Sequence, residues 1–174
     1  MDKKMIFITG GVRSGKSRFA QEMAKTFPGP KAYLATAQAL DGEMERRIAR
    51  HKKSRPKAWR TLEEPVRIAE VLQREGGNCG LILLDCLTLW LSNLMMAGWG
   101  ERKILGTADR FLKMARKVPC SLILVSNEVG MGLVPENSAA RLFRDLSGLI
   151  HQKVAQEADE VYFLVGGLPW KMKG

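Results

Sequence analysis

The sequence predicts an α/β protein in which a mostly parallel central sheet is covered by helices on both faces. Three observations support this class. Strand-like and helix-like segments alternate, the strand-like segments are almost continuously apolar, and a glycine-rich segment joins the first strand to the first helix. Uninterrupted apolar runs such as 81–84 and 122–125 are typical of parallel strands buried on both faces. Alternation with right-handed crossovers then gives a layered α/β fold.

The individual elements follow from apolar patterning and from the charges near helix ends. Segment 5–9 is the first predicted strand, and 17–25 is a helix because Phe19, Met23 and Ala24 share one face. Helix 41–53 has acidic residues in its first turn and basic residues in its last, which complements the helix dipole. The remaining predicted elements are strands 31–36, 81–85, 121–125 and 160–165, helices 87–96, 107–117 and 138–157, and a helix end at 67–74.

The apolar run from 81 to 97 raises the question of a membrane span. Asp85, Thr88, Ser92 and Asn93 interrupt it, whereas a span needs about 20 predominantly apolar residues. A buried strand followed by a helix, with Trp90 in the core, is therefore predicted instead. We expect no membrane insertion.

Composition favours one globular domain over residues 1–174, of which 45% are hydrophobic. No linker-like stretch, low-complexity segment or internal repeat divides the sequence, and its start does not resemble a signal peptide. The three cysteines are scattered and lack a C-x-x-C spacing. This disfavours a disulfide framework and a zinc site, and it suits a reducing cytoplasm.

The net charge of +10 leaves two kinds of partner open. Eight basic residues lie between positions 46 and 60, a density that fits either a polynucleotide or phosphorylated small molecules. The sequence contains no recognition helix, stacking-aromatic platform or RNA-binding signature. Nucleic acid is therefore the less favoured partner.

The glycine-rich segment matches the phosphate-binding pattern G-x-x-x-x-G-K-[ST] at every fixed position. Its residues are Gly10, Gly11, Val12, Arg13, Ser14, Gly15, Lys16 and Ser17. Backbone N–H groups of such a loop form an anion nest at the positive end of the following helix. Lys16 is expected to reach the β- and γ-phosphates and Ser17 to ligate Mg²⁺. A chance glycine-rich turn is disfavoured by the flanking strand and helix, so the fold is P-loop NTPase-like and binds a nucleoside triphosphate.

Two further segments lie where parallel strands end. Asp85 closes an apolar strand, where a carboxylate can hold Mg²⁺ or instead cap the helix that starts near Leu87. Given the P-loop, the metal role is favoured. Segment 126–137 (SNEVGMGLVPEN) follows another apolar strand, and it is either a shaped ligand loop or an ordinary connection.

The chain has two histidines. His51 lies near the end of predicted helix 41–53 inside the basic cluster, where it is either a solvated surface residue or a nucleophile. His151, in predicted helix 138–157, has no comparable neighbours in the sequence and is expected to be structural or at the surface.

Several motifs together resemble one family, the bifunctional adenosylcobinamide kinase / adenosylcobinamide-phosphate guanylyltransferases of cobalamin biosynthesis. The histidine segment combined with the Asn-Glu-Val-Gly-x-Gly loop is far more specific than the P-loop alone. The matching segments, in chain order, are 9–17 (TGGVRSGKS), 33–38 (YLATAQ), 41–44 (DGEM) with Arg47 and Ile48, 51–56 (HKKSRP), 59–61 (WRT) with Glu63, 84–88 (LDCLT), 126–137 and 158–161 (ADEV).

The resemblance implies two reactions in sequence. ATP or GTP phosphorylates adenosylcobinamide, and GMP from GTP is then transferred to adenosylcobinamide phosphate through a covalent GMP–histidine, here on His51. The resemblance also implies that Lys16 is a second catalytic residue and that Ser17 and Asp85 are the Mg²⁺ ligands. The nucleotide contacts carried over from the family are residues 10–17, Thr36, Ala37, Gln38, Lys52, Lys53, Ser54, Arg55, Glu63 and Asp85. The resemblance also implies a homo-oligomer, commonly a trimer. A kinase without the guanylyltransferase step is the alternative.

Three positions depart from the family pattern. Arg50 stands where some members have a second histidine, which leaves His51 as the only candidate nucleophile. Val12 replaces a commoner alanine, and Asp85 stands where some members have glutamate. These changes remove no required group, although they can alter nucleotide preference.

Overall fold

The computed structural model describes residues 2–174, apart from the side chains of Arg47 and Ser54. The strands are β1 (Met5–Gly10), β2 (Lys31–Ala35), β3 (Arg60–Glu63), β4 (Leu81–Asp85), β5 (Ser121–Val125), β6 (Glu160–Val165) and β7 (Leu168–Lys173). The helices are α1 (Lys16–Lys25), α2 (Gly42–Ser54), α3 (Ile68–Glu75), α4 (Leu87–Met96), α5 (Glu101–Lys117) and α6 (Ser138–Glu157), with a short 3₁₀ turn at Gly76–Asn78.

The strands form one sheet in the order β3-β2-β4-β5-β1-β6-β7. All pairings are parallel except that of β7, which returns antiparallel to β6. Because parallel strands point the same way, the loops after β1, β2, β4 and β5 leave from one edge of the sheet. The predicted α/β class with a mostly parallel sheet is confirmed.

Both faces of the sheet are covered by apolar packing, which explains the continuous apolar strands. Ile6 and Ile8 of β1 face a cluster with α1, while Met5 and Phe7 face a larger cluster formed with α3 to α6. Trp90 is fully buried in the larger cluster, as predicted, and its indole N–H donates to the carbonyl of Val66 at 2.9 Å.

Three features differ from the predicted elements. Strands β3 and β7, at the two edges of the sheet, were not predicted, because their residues are largely exposed and carry no continuous apolar run. Helix α5 starts at Glu101 instead of position 107, since its first turn is polar and only Ile104 marks its buried face. No helix in residues 2–174 is long and apolar enough to cross a membrane.

Candidate active site

The loop between β1 and α1 has the backbone of a phosphate-binding loop. Gly10 and Gly15 adopt φ values of +145° and +92°, and Arg13 also has a positive φ of 57°. A Cβ at Gly10 would collide with the carbonyl oxygen of Leu164 on β6, so this position requires glycine. The loop ends at the start of α1, where unpaired backbone N–H groups and the helix dipole favour an anion.

Lys16 lies with its amine folded back into this loop. Its side chain is largely buried, and Nζ donates to the carbonyl of Gly11 at 2.6 Å. Burial lowers the pKa of Lys16, and the nearby carboxylate of Asp85 partly opposes this shift. An anion bound in the loop would stabilise the charged ammonium at the position where a phosphate is expected.

Asp85, at the end of β4, accepts hydrogen bonds from two side chains. Ser17 Oγ donates to its Oδ2 at 2.8 Å, and the Tyr33 hydroxyl donates to the same oxygen at 2.5 Å. The alternative that Asp85 caps α4 is wrong: Cys86 occupies the cap position, and no side chain caps that helix end. Burial, with the Asp85 carboxylate adding to it, raises the pKa of Tyr33, so Tyr33 remains a donor.

Ser17 and Asp85 also form a donor set suited to Mg²⁺. A hydroxyl and a carboxylate oxygen 2.8 Å apart are hard oxygen ligands beside the phosphate-binding loop. Among residues 2–174 there is no cluster of three or more His, Cys, Asp or Glu side chains able to hold a metal. Mg²⁺ commonly takes one or two protein oxygens and completes its shell with phosphates and water.

Helix α2 brings His51 to the same place. The Asp41 carboxylate caps the helix start by accepting from the Met44 N–H at 2.7 Å. Met44, Ile48 and His51 follow one another at helical spacing, so they share a face. All three line a cleft of about 470 Å³ together with Lys16 and Asp85. The last turn of α2 therefore presents His51 to the phosphate-binding loop.

Many of the site residues predicted from the sequence line this cleft. The predicted residues that line it are Val12, Arg13, Ser14, Gly15, Lys16, Ser17, Ala37, His51, Arg55 and Asp85. A neighbouring cavity of about 480 Å³ is lined by Lys52, Arg55, Thr61 and Glu63. Lys52 Nζ and Glu63 Oε1 are 2.6 Å apart, and Arg55 lines both cavities.

Other predicted contacts lie elsewhere. Thr36 is fully buried, and its hydroxyl donates to the carbonyl of Cys86 at 2.7 Å and accepts from the Cys86 N–H at 2.9 Å. It therefore ties the end of β2 to the residue after β4. Within the described part of the chain, Gly10, Gly11, Gln38 and Lys53 do not line either cavity. The side chain of Ser54 lies outside the described residues.

Several polar residues that line the cleft were not named as site residues from the sequence, among them Tyr33, Arg50 and Asn127. Tyr33 lies on β2, and the guanidinium of Arg55 stacks over its ring, with Arg55 Cζ 4.1 Å from the ring centroid. Its apolar surroundings in the sequence gave no signal for a role beside Asp85. Asn127 lines the cleft from the loop after β5, within segment 126–137, which its position at a strand end had marked as either a ligand loop or an ordinary connection.

His151 is not at the surface, so that part of the expectation is wrong. Its ring packs 5.4 Å from the ring of Phe7, and Nε2 lies 2.7 Å from Ser126 Oγ. Nδ1 lies 3.9 Å from the Glu128 carboxylate. Burial lowers the pKa of His151, opposed by Glu128. Phe7 comes from β1, and Ser126 and Glu128 come from segment 126–137, so all three are distant in sequence and spacing could not predict these contacts.

The sheet, the phosphate-binding loop after β1 and the acidic residue at the end of β4 define a P-loop nucleotide-binding α/β protein. Solved structures agree with this fold. An ATPase of the type III secretion system superposes with a TM-score of 0.56 at 14% identity, covering 93% of this chain. The RadB recombinase gives 0.52 at 13% identity, covering 92% of this chain and 73% of its own. The chain spans about half (51%) of the secretion ATPase chain.

Sequence comparison identifies the family. The family model described as cobinamide kinase / cobinamide phosphate guanyltransferase matches residues 6–172. The bifunctional adenosylcobalamin biosynthesis protein CobP of Pseudomonas aeruginosa is 46% identical over 169 residues, covering 96% of both chains. The protein CobU of Salmonella typhimurium is 40% identical over 97% of this chain and 99% of its own. CobU of Escherichia coli is 36% identical over the same shares. This chain belongs to the cobinamide kinase / cobinamide phosphate guanyltransferase family, and the resemblance stated from its motifs is confirmed.

Proposed function

We propose that this protein phosphorylates adenosylcobinamide with ATP or GTP and then guanylylates the product. GMP from GTP is transferred to adenosylcobinamide phosphate, which gives adenosylcobinamide-GDP and pyrophosphate. Family membership supports this pair of activities. The observation that carries the proposal is that His51 and Lys16 line one cleft, although they lie on different elements. A phosphate-binding group and a nucleophile in one cleft suit a kinase that also transfers a nucleotidyl group.

The phosphate-binding loop holds the triphosphate in both reactions. Its backbone N–H groups and the amine of Lys16 contact the β- and γ-phosphates. Ser17 and Asp85 would hold Mg²⁺, which when bound neutralises charge on the phosphate oxygens. Lys52, Arg55 and Glu63, around the neighbouring cavity, are assigned to the rest of the nucleotide. We also assign Gly10, Gly11, Thr36, Ala37, Gln38, Lys53 and Ser54 to nucleotide contacts, as the resemblance implies.

In the kinase reaction, the acceptor hydroxyl attacks the γ-phosphorus in line with the leaving nucleoside diphosphate. The bond from the γ-phosphorus to the bridging oxygen breaks, the hydroxyl proton passes to solvent, and the new phosphate remains on the acceptor. Most of the catalysis comes from positioning and from charge stabilisation by Lys16 and the loop.

In the guanylyl transfer, a ring nitrogen of His51 attacks the α-phosphorus of GTP. An N–P bond forms and the bond to the β-phosphate oxygen breaks, so pyrophosphate leaves. An oxygen of cobinamide phosphate then attacks the same phosphorus. The N–P bond breaks, and the imidazole returns to its starting state. Arg50 and Arg55 line the cleft beside His51 and offer positive charge to the phosphates.

Three further expectations accompany this proposal, on the domain, the compartment and the oligomeric state. One domain, residues 1–174, carries both reactions. The protein works in the cytoplasm on small molecules, not on nucleic acid. It assembles as a homotrimer, which analytical ultracentrifugation can measure. These stay predictions.

The test of the guanylyl step is covalent labelling with [α-³²P]GTP. The wild-type protein should acquire one acid-labile, base-stable label, and His51→Asn should abolish it. The same variant should retain kinase activity towards adenosylcobinamide, which serves as the control for folding. Label that survives the substitution would remove His51 from the mechanism. Phosphorylation without any label in the wild type would indicate a kinase alone.

A further inference from the structure

Behind the cleft lies a row of buried polar side chains that the proposed reactions do not use. Thr88 is 7% exposed, Ser126 is fully buried and Ser147 is 2% exposed. His151 on α6 adjoins them, with a side chain 12% exposed. Buried polar groups are retained where each has a hydrogen-bond partner, so the order of these contacts is informative.

The contacts form a continuous chain. The Asn127 N–H donates to Thr88 Oγ1 at 2.7 Å, and Thr88 Oγ1 lies 2.9 Å from Ser126 Oγ. Ser126 Oγ lies 2.7 Å from His151 Nε2, and Ser147 Oγ lies 3.4 Å from the same nitrogen. We call this the Asn127–His151 chain.

Each hydroxyl has one proton to donate and can accept twice. The contacts are satisfied when Thr88 accepts from the Asn127 N–H and donates to Ser126, and Ser126 donates to His151 Nε2. This arrangement puts the imidazole proton on Nδ1, which faces the Glu128 carboxylate at 3.9 Å. Burial, which lowers the pKa of His151, favours this neutral form.

The Asn127–His151 chain begins at the cleft. Asn127 lines the cleft, and the next residue, Glu128, donates its backbone N–H to the carbonyl of Gly10 at 2.9 Å. Strand β5 lies between β1 and β4, so its loop leaves the sheet between the phosphate-binding loop and Asp85. Glu128 is itself held by the Gly130 N–H, which donates to its Oε1 at 2.5 Å. A shift of His151 would therefore be transmitted to the backbone of Asn127.

We propose that His151 is a positioning residue for phosphoryl transfer: as a neutral imidazole with its proton on Nδ1, it ends the Asn127–His151 chain and so holds Asn127 beside the phosphate-binding loop. This role rests on the proposed kinase activity. His151 does not touch substrate; it acts through Ser126 and Thr88. Removal of such supporting groups commonly lowers activity about 10- to 100-fold.

Two substitutions at His151 separate positioning from packing. His151→Leu fills the space but leaves Ser126 without its acceptor. His151→Gln supplies a carbonyl oxygen near the position of Nε2. We expect kcat of the kinase reaction to fall at least about tenfold in the leucine variant, with KM for ATP nearly unchanged. The glutamine variant should retain kcat within about threefold of wild type.

The matched control is Val154→Ala, which removes a buried side chain from the same helix. Its melting temperature should fall while kcat stays near wild type. Rates are normalised to the fraction of folded protein. A leucine variant with wild-type kcat would overturn the proposal, as would a glutamine variant as slow as the leucine variant. Inactivity of the wild-type kinase would instead overturn the proposed function.

An NMR measurement tests the Asn127–His151 chain independently of enzyme activity. The protein has two histidines, so His51→Asn leaves the imidazole of His151 alone in a ¹H–¹⁵N spectrum. At pH 7 the ¹⁵N shifts should show a neutral ring with the proton on Nδ1. A proton on Nε2, or a doubly protonated ring, would overturn the proposal even if the enzyme is active.

Discussion

At the scale of single residues, the Asp85 carboxylate joins three parts of the cleft. It accepts from Ser17 on α1 and from Tyr33 on β2, and it ends β4. Arg55 stacks over the ring of the same Tyr33. One short side chain thus connects the phosphate-binding loop to the segment that follows His51. Changes at these contacts should affect both stability and nucleotide binding.

Tyr33→Phe removes the phenol donor to Asp85 but keeps the ring under Arg55. A hydrogen bond to a charged group contributes about 1.5–3 kcal/mol, so the nucleotide-free variant should lose roughly this much unfolding free energy. Urea denaturation monitored by circular dichroism measures the loss. Phe19→Leu, at a partly buried ring away from Asp85, controls for general packing. Unchanged stability of Tyr33→Phe would show that the contact contributes nothing.

Lys16→Ala should impair both reactions. The amine lies inside the phosphate-binding loop, where it is expected to stabilise charge on the transferred phosphates. Losing one such group commonly costs about 100- to 1,000-fold in kcat. Rates of phosphorylation and of GMP labelling are both measured. Lys25→Ala, on the same helix with a side chain 59% exposed, should leave both rates unchanged.

At the scale of elements, Glu160 links β6 and β7 to Lys4, the residue that precedes β1. It starts β6, Lys4 Nζ donates to its Oε1 at 2.5 Å, and the Tyr162 hydroxyl donates to its Oε2 at 2.7 Å. Lys171 of β7 lies 3.5 Å from the same carboxylate. These hydrogen bonds, that from Lys4 first, lower the pKa of Glu160 to about 2.

The pH dependence of stability follows from this lowered pKa. Because the folded pKa is below the ordinary carboxyl value of 4.5, Glu160 stabilises the fold above about pH 4.5, and this contribution is lost as pH falls towards 2. Glu160→Gln should therefore lower stability at pH 7 by about 1–2 kcal/mol and weaken the acid dependence. Denaturation at pH values from 2.5 to 7 measures the change in unfolding free energy and its pH dependence. Glu157→Gln, in an exposed pair with Arg116, should change little.

Side-chain patterns along the sequence did not predict the two edge strands. Central strands such as β4 and β5 are buried on both faces and were predicted with their observed bounds. Strand β3 has one partly buried residue, Leu62, and β7 is exposed throughout. An edge strand is stabilised by its neighbour's backbone, and backbone pairing leaves no mark in side-chain composition.

At the scale of the whole molecule, the sheet is stabilised by apolar packing on both of its faces. Leu84 on β4 is fully buried within the larger cluster. Leu84→Ala should lower the unfolding free energy by about 2–5 kcal/mol, through lost burial and the cavity left behind. Urea denaturation measures the change. Leu133→Ala, at a side chain 96% exposed, should be near neutral. Equal losses in the two variants would contradict the described core.

Local sequence alone determined the α/β class, the central strands and the phosphate-binding loop with Lys16 and Ser17. Each depends on residues adjacent in the chain: apolar runs, helical spacing, and glycines at fixed intervals. It also placed His51 near the end of a helix. Only the tertiary structure decided what surrounds these residues. The strand order β2-β4-β5-β1 brings Tyr33, Asp85, Asn127 and the loop to one edge, and it places His151 behind them. Such contacts join residues far apart in sequence, so neither spacing nor composition could predict them.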